Sequence, residues 1–274
     1  MTDQFQITYQ QDNETKTIAI DGVSHKTITK TPQLESTDYF HFEINDEIAI
    51  IKITNFYNYD EFKHFAKNAF TQIKNDKITK LIIDVRDNSG GDSRIGDELL
   101  KYLSSHPFRQ YSAINIKVSE EIKQYYRINE HIRSYYETTA SHILEDVEKA
   151  KVGESITYEM EYALPYEDLH FGGKVNVLTN NRTYSSATNF VAAIKDYKLG
   201  TIIGDTPGGY ATHYGDIYMF RLPNSNLQVI VSHKEHIRPS GCKKQEEITP
   251  DVVIISEPFA IEDRVLEYSK AHFE

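Results

Sequence analysis

The chain has 274 residues, 39% hydrophobic and 26% charged, enough to build one sizeable core or two small ones. Its net charge of -11, with no basic cluster longer than Cys242-Lys243-Lys244, argues against nucleic acid and anionic membrane as partners. The single cysteine, Cys242, rules out an intrachain disulfide and a cysteine-based zinc site.

Two alternating segments, Phe5 to Tyr9 and Thr15 to Ile20, flank Gln11-Asp12-Asn13-Glu14 and read as a hairpin. Tyr39 to Ile44 and Ile48 to Ile53 form a second strand pair. Phe62, Phe65, Ala66, Ala69, Phe70 and Ile73 then recur at helical spacing, and Ile78 to Val85 reads as a buried central strand. The loop Arg86 to Asp92 leads into a helix carrying Ile95, Leu99, Leu100 and Leu103. Asp84 and Arg86 at that strand end read as an ion pair. Residues 119–149 carry an uneven apolar stripe, expected as one long helix or two. They fall in a helical insertion over 106–171, which either flanks a cleft or simply packs.

Lys174 to Leu178 is a second apolar strand. It runs into Thr183-Tyr184-Ser185-Ser186, which opens a helix whose apolar face holds Ala187, Phe190, Val191, Ile194 and Tyr197. Small hydroxyl residues therefore sit where a strand becomes a helix. Unpaired N–H groups and the positive end of the helix dipole meet there, and both lower the cost of an oxyanion. Ser185 is either a helix cap, the commoner role for serine at this position, or a nucleophile. Strands at Thr201 to Ile203, Tyr214 to Leu222 and Leu227 to Ser232 follow, then a last helix from about Ile261 to His272. The alternation predicts one mixed α/β domain over 1–274, with strands in 1–45 and antiparallel additions at both ends.

Asn88-Ser89-Gly90-Gly91 and Tyr184-Ser185-Ser186 each leave an apolar strand and enter a helix. In an open α/β sheet such strand ends gather where ligands bind. The N–H groups of Gly90 or Gly91 and of Ser186 are the candidate oxyanion donors. The alternative for the Gly-Gly pair is a plain tight turn. Gly204 to Gly209 lacks the Lys-Ser/Thr ending of a phosphate loop. His233 and His236 stand three apart on an expected strand and so face opposite sides, which disfavours a shared metal. No cofactor is implied.

Leu81 to Gly91, Thr183 to Asp196 and Gly200 to Gly209 together resemble the tail-specific, or C-terminal processing, serine peptidases. Arg238-Pro239-Ser240-Gly241 and Ile248 to Val253 resemble that family's closing strands. The likeness covers roughly residues 45–105 and 172–256. It implies a crotonase/ClpP-like α/β fold and an endopeptidase that cuts peptides or unfolded proteins near their C-termini, with Ser185 as nucleophile. The family's lysine base falls at Tyr210, whose hydroxyl is a poor base at neutral pH. His213 is the candidate replacement, since a free imidazole titrates near about 6.5. Asp216 or Asp196 could orient it, although Asp196 lies three helical turns from Ser185, and an ordinary strand-end histidine is the alternative for His213.

Loss of the lysine keeps a second reading open, a pseudopeptidase that binds extended peptides. A crotonase-like acyl-CoA enzyme is a third, supported by the implied fold alone. The first 45 residues are too few for the PDZ-type module that many relatives carry. With no signal peptide and no apolar run long enough for a bilayer span, the chain reads as cytoplasmic as it stands, or extracytoplasmic if it is a processed fragment. The sequence carries no signal for an oligomeric state.

Overall fold

The computed structural model describes residues 4–11, 13–23, 39–255 and 262–273. The chain divides into two compact units, Met1–Asp38 and Tyr39–Glu274. The first holds the expected hairpin, β1 (Gln4–Gln11) against β2 (Glu14–Asp21), with every residue of both strands exposed. Asp12 of its turn lies outside the described residues.

The second unit is built on a six-stranded sheet. Its strands are β3 (Phe40–Asn45), β4 (Ile48–Ile53), β5 (Lys80–Asp84), β8 (Lys174–Thr179), β9 (Thr201–Gly204) and β12 (Val252–Val253). The order is β12-β9-β8-β5-β4-β3, parallel throughout except where β3 turns back on β4. Leu81, Ile82 and Ile83 are wholly buried, as expected of a central strand covered on both faces. One face carries helices α1 (Tyr59–Asn75), α2 (Arg94–Leu103) and α6 (Ser186–Tyr197), whose Phe62, Leu99 and Phe190 join Ile51, Ile83 and Val177 in the main core. The opposite face is covered by α7 (Arg264–Ala271), where Val265 meets Ile82, Leu178 and Ile203. The Ile261 start expected for this helix lies outside the described residues; Asp263 caps it by accepting from Leu266 N–H at 3.1 Å.

The insertion differs from the all-helical expectation. Within it, β6 (Ala113–Lys117) and β7 (Ser155–Glu159) enclose three short helices, α3 (Glu120–Ile128), α4 (Glu130–Thr139) and α5 (Ser141–Lys149). Together with β10 (His213–Arg221) and β11 (Gln228–Ile237), these strands form an antiparallel sheet of order β10-β11-β6-β7. Five-residue strands give too short a period to stand out, and the partner of β6 lies far along the chain. β11 runs past its expected end at Ser232 because Lys234 to Ile237 pair with Ala113 to Ile116, a stretch whose polar residues hide the strand. Arg238 to Gly241 forms a turn rather than a strand, with Gly241 N–H bonded to Arg238 C=O at 2.9 Å. No helix among the described residues is long and apolar enough to cross a membrane.

Asn176, buried in β8, ties α7 to the sheet. Its amide donates to Ser269 C=O at 3.1 Å, Ser269 Oγ at 3.1 Å and His272 C=O at 2.8 Å. Asn176→Ala strands those buried acceptors and is expected to destabilise the protein by about 1–3 kcal/mol. Urea denaturation measures the loss, and amide exchange should rise first in 264–271.

Candidate active site

The parallel strands β5, β8 and β9 deliver three loops to the carboxyl edge of the main sheet, and the loops are stitched together there. Asn88, fully buried, is the central stitch. Its amide donates to Ile53 C=O at 2.9 Å, its side-chain oxygen accepts Gly90 N–H at 2.9 Å, and its main-chain carbonyl accepts Tyr184 N–H at 2.9 Å. Thr183 Oγ1 donates to Val85 C=O at 2.9 Å, and Asn180 accepts Asp87 N–H at 3.0 Å. The third loop joins through Gly208 N–H, bonded to Thr183 C=O at 3.0 Å.

On this frame Ser185 has φ 53° and ψ -126°, a backbone state that a non-glycine residue rarely adopts and that costs about 1–3 kcal/mol. It stands at the cap position of α6, yet its hydroxyl makes no capping hydrogen bond. The capping alternative therefore does not describe this serine. The neighbouring Ser186 hydroxyl donates to Gly91 C=O at 2.7 Å and pins the helix to the glycine loop.

Both glycines occupy left-handed backbone, φ +92° at Gly90 and φ +137° at Gly91, and both are packed tightly. A Cβ on Gly90 would lie 2.8 Å from Ser185 Cβ and from Ser186 N, and one on Gly91 would lie 2.3 Å from Phe56 O. Ser185, Ser186, Gly90 and Gly91 are thus brought together. The Gly90 N–H is already committed to Asn88. Among the described residues, those of Gly91 and Ser186 have no partner.

The remaining candidates form a second cluster or stand apart. His213 opens β10 opposite His236 of β11, and the two rings stack at 5.4 Å between centroids. His236 in turn lies 4.9 Å from the ring of Tyr111. The Tyr111 hydroxyl accepts from the amide of Asn189, one turn along α6 from Ser185, at 2.9 Å. No hydrogen bond joins Ser185 to His213; side chains of the same cluster link His213 to the serine's helix instead.

Asp216 pairs with Lys234 Nζ at 2.5 Å, and Lys234 also bonds the Tyr136 hydroxyl from the insertion. Asp196 stands at the far end of α6, held by Arg238 through contacts of 2.5 and 3.1 Å. Tyr210 is exposed and bridges to Glu247. Asp84 takes a bidentate bond from Arg86, whose other edge reaches Asp263 at 2.7 Å.

Tyr111, Asn189, Lys234 and His236 escaped the sequence reading as site residues. The signal for His236 was register: extending the β10–β11 hairpin to its base puts His236 opposite His213. Tyr111 and Asn189 carry no local motif, since their bond joins segments distant in sequence.

The chemistry of the cluster follows from burial. Burial pulls the His213 imidazole below its ordinary 6.5, opposed by the Tyr210 carbonyl and Asp216. Burial likewise drives His236 to about 4, against the attraction of Asp216 and with help from His213 and Lys234. His233, bonded to the Tyr126 hydroxyl at 3.0 Å, falls to about 4 through burial and Lys234. Burial works to raise the Asp216 carboxyl, but Lys234 and His236 outweigh it and hold it below the usual range. At neutral pH the cluster is one ion pair, with Lys234 buried and Asp216 exposed at its edge, beside neutral imidazoles.

Fold and site together define a class: mixed α/β proteins in which a strained serine at a strand-to-helix turn faces a glycine loop. The chain belongs to peptidase family S41, whose family model matches residues 47–254. No curated protein matches it. Among solved structures, mature CPAF superposes with a TM-score of 0.60 at 14% identity, over 91% of this chain and 62% of CPAF. A candidate peptidase from Parabacteroides merdae ATCC 43184 gives 0.53 at 19% identity, over 84% and 60%. The photosystem II D1 C-terminal processing protease gives 0.50 at 15%, over 92% and 55%. This chain thus spans about three fifths of the length of those structures.

The histidines set a pH limit on stability. Folded His233 and His236 titrate near 4 and an unfolded imidazole near 6.5, so the unfolded chain binds more protons between those values. Stability complete above about pH 6.5 is therefore lost as pH falls towards 4, on the order of a few kcal/mol in all. Urea midpoints measured across this window should fall, and His233→Gln should flatten the fall.

Proposed function

We propose that this chain carries the catalytic core of a serine endopeptidase that cuts peptides or unfolded proteins near their C-termini through an acyl-enzyme on Ser185. The observation that carries this reading is the Ser185 backbone. A strained, left-handed serine at the start of a helix, with its hydroxyl unused as a cap and a two-glycine loop packed against its Cβ, suits a nucleophile and nothing structural.

In the proposed reaction Ser185 Oγ attacks the scissile carbonyl carbon as His213 removes its proton. A serine at its free pKa is a weak nucleophile, and a neutral imidazole is the form that accepts the proton. Burial favours that form at pH 7. The new oxyanion takes the Gly91 and Ser186 N–H groups, both without a partner among the described residues. The C–N bond breaks, the proton passes from His213 to the leaving amine, and water then releases the acyl group by the reverse route. Ser185 and His213 must approach each other for this transfer, and a bound peptide supplies a means. β10 is an edge strand that begins at His213, so its outer side can take an extended peptide as a further strand. Asp216 acts on His213 only at a distance, through its charge paired with Lys234, and Asp196 braces the end of α6.

A fluorophosphonate probe tests the nucleophile: wild type and Ser186→Ala should label, and Ser185→Ala should not. Labelling that survives in Ser185→Ala overturns the assignment. For the base, kcat/KM on a denatured protein substrate should be full at neutral pH and lost as pH falls below a midpoint under 6.5. His213→Ala should lower kcat by about 10²–10⁴-fold. Retained activity in His213→Ala removes the base, and a Ser185 that neither labels nor cuts leaves peptide capture as the function.

A further inference from the structure

Far from Ser185, at the amino ends of β5 and β8, a recess of about 610 Å³ opens between α1 and the segment that leads into β8. Volumes of this size hold small organic ligands. Its floor is apolar, from Phe70, Ile73, Ile78, Leu169, Phe171 and Phe273. Its rim is cationic, with Lys74 from the end of α1, Lys77 from the turn after it, Lys80 at the start of β5 and Lys174 at the start of β8. Four lysines line one recess in a chain whose net charge is -11.

The charges are only lightly spent. Among the described residues, the carboxylate ion-paired to this rim is Glu47, 3.8 Å from Lys80 with its own side chain 86% exposed. Such a pair contributes little in water. Lys74 donates to Asp168 C=O at 2.8 Å and Lys174 to Phe273 C=O at 3.2 Å. Those neutral acceptors leave the charge uncompensated, and each ammonium has three donors. The Lys80 ammonium stands 6.0 Å from the Phe273 ring, so charge and apolar floor meet directly.

The glycines keep the wall open. A Cβ on Gly173 would lie 2.3 Å from Thr79 O and 2.6 Å from Phe171 Cζ. Only glycine lets the chain run this close, and Gly172 beside it adds no side chain to the mouth.

We propose that this recess binds a medium-chain aliphatic carboxylate, its head among the lysines and its tail on the aromatic floor. The lysine rim selects an anion by charge. An aliphatic tail suits the apolar floor better than a peptide does, and three main-chain acceptors at the recess already hold a donor: Asp168 from Lys74, Phe273 from Lys174, and Thr79 from Lys174 N–H at 2.9 Å. A peptide tail would leave its own amides unpaired at a cost that methylenes avoid. The site is independent of the peptidase reading, since it shares no residue with the Ser185 cleft.

Titration calorimetry of the whole chain with dodecanoate, below its micelle concentration, tests this. Saturable one-site binding is expected in wild type and equally in Ser185→Ala. In Lys77→Glu/Lys80→Glu, whose side chains lie at the surface, affinity should fall at least tenfold. Dodecyltrimethylammonium and dodecanol should bind at least tenfold more weakly than dodecanoate. No saturable binding, an unaffected double variant, or equal binding of the cationic or neutral chain overturns the proposal. A short peptide with a free apolar C-terminus that binds more tightly than dodecanoate overturns the aliphatic assignment. Circular dichroism confirms that the variants fold.

Discussion

The site depends on one buried amide. Asn88 binds three strand-to-helix connections at once: the end of β4 through Ile53, its own glycine turn through Gly90, and the serine turn through Tyr184. Each bond meets a main-chain group that would otherwise be buried unpaired, a deficit of about 1–3 kcal/mol apiece. Sheet twist alone would bring the loop ends near each other. The Asn88 bonds fix the glycine turn against the Ser185 Cβ, and that contact makes the turn a site rather than a connection.

A second constraint runs outward from this frame to the other sheet. The Asn189–Tyr111 bond, the Tyr111–His236 contact and the His236–His213 stack link the helix that follows Ser185 to the strand that carries His213. Gly215 belongs to the same arrangement, because a Cβ there would lie 3.2 Å from the His236 ring. Beyond it Lys234 and Asp216 neutralise each other, and Tyr136 brings the insertion into contact with them. The insertion is therefore tied to the His213 strand through the Lys234 ammonium. A change in how its helices pack would be felt at His213 before it was felt at Ser185.

Much of the main sheet was legible because its strands obey local rules. Ile78 to Val85 and Lys174 to Leu178 are short apolar runs bounded by polar residues, and the helices that follow show their apolar stripes. The two loops were legible because glycine and serine are informative at strand-to-helix turns. The antiparallel sheet was not, and the reason is physical. β6 and β7 are five residues long and β11 carries a polar tail, so their pairing is set by partners distant in sequence. The same holds for Tyr111 and Asn88. A tyrosine in an irregular segment and an asparagine in a loop acquire meaning only through what they touch. The strain at Ser185 was also out of reach, since no residue preference predicts a left-handed serine.

That strain distinguishes two adjacent hydroxyls that composition cannot separate. Ser186 has ordinary helical geometry, and its hydroxyl is spent on Gly91 C=O inside the protein. Its bond draws the first turn of α6 onto the glycine loop, and the preceding residue must then take up the bend between strand and helix. Ser185 is that residue. It sits at the tightest point of the turn, with a backbone that disfavours every side chain with a Cβ, so the hydroxyl it presents is an expense the fold could have avoided with glycine. Glycine would relieve about 1–3 kcal/mol and leave every stitch around it intact. A fold that keeps serine where glycine fits better is keeping the oxygen, at a turn where, among the described residues, the amides of Gly91 and Ser186 have no partner.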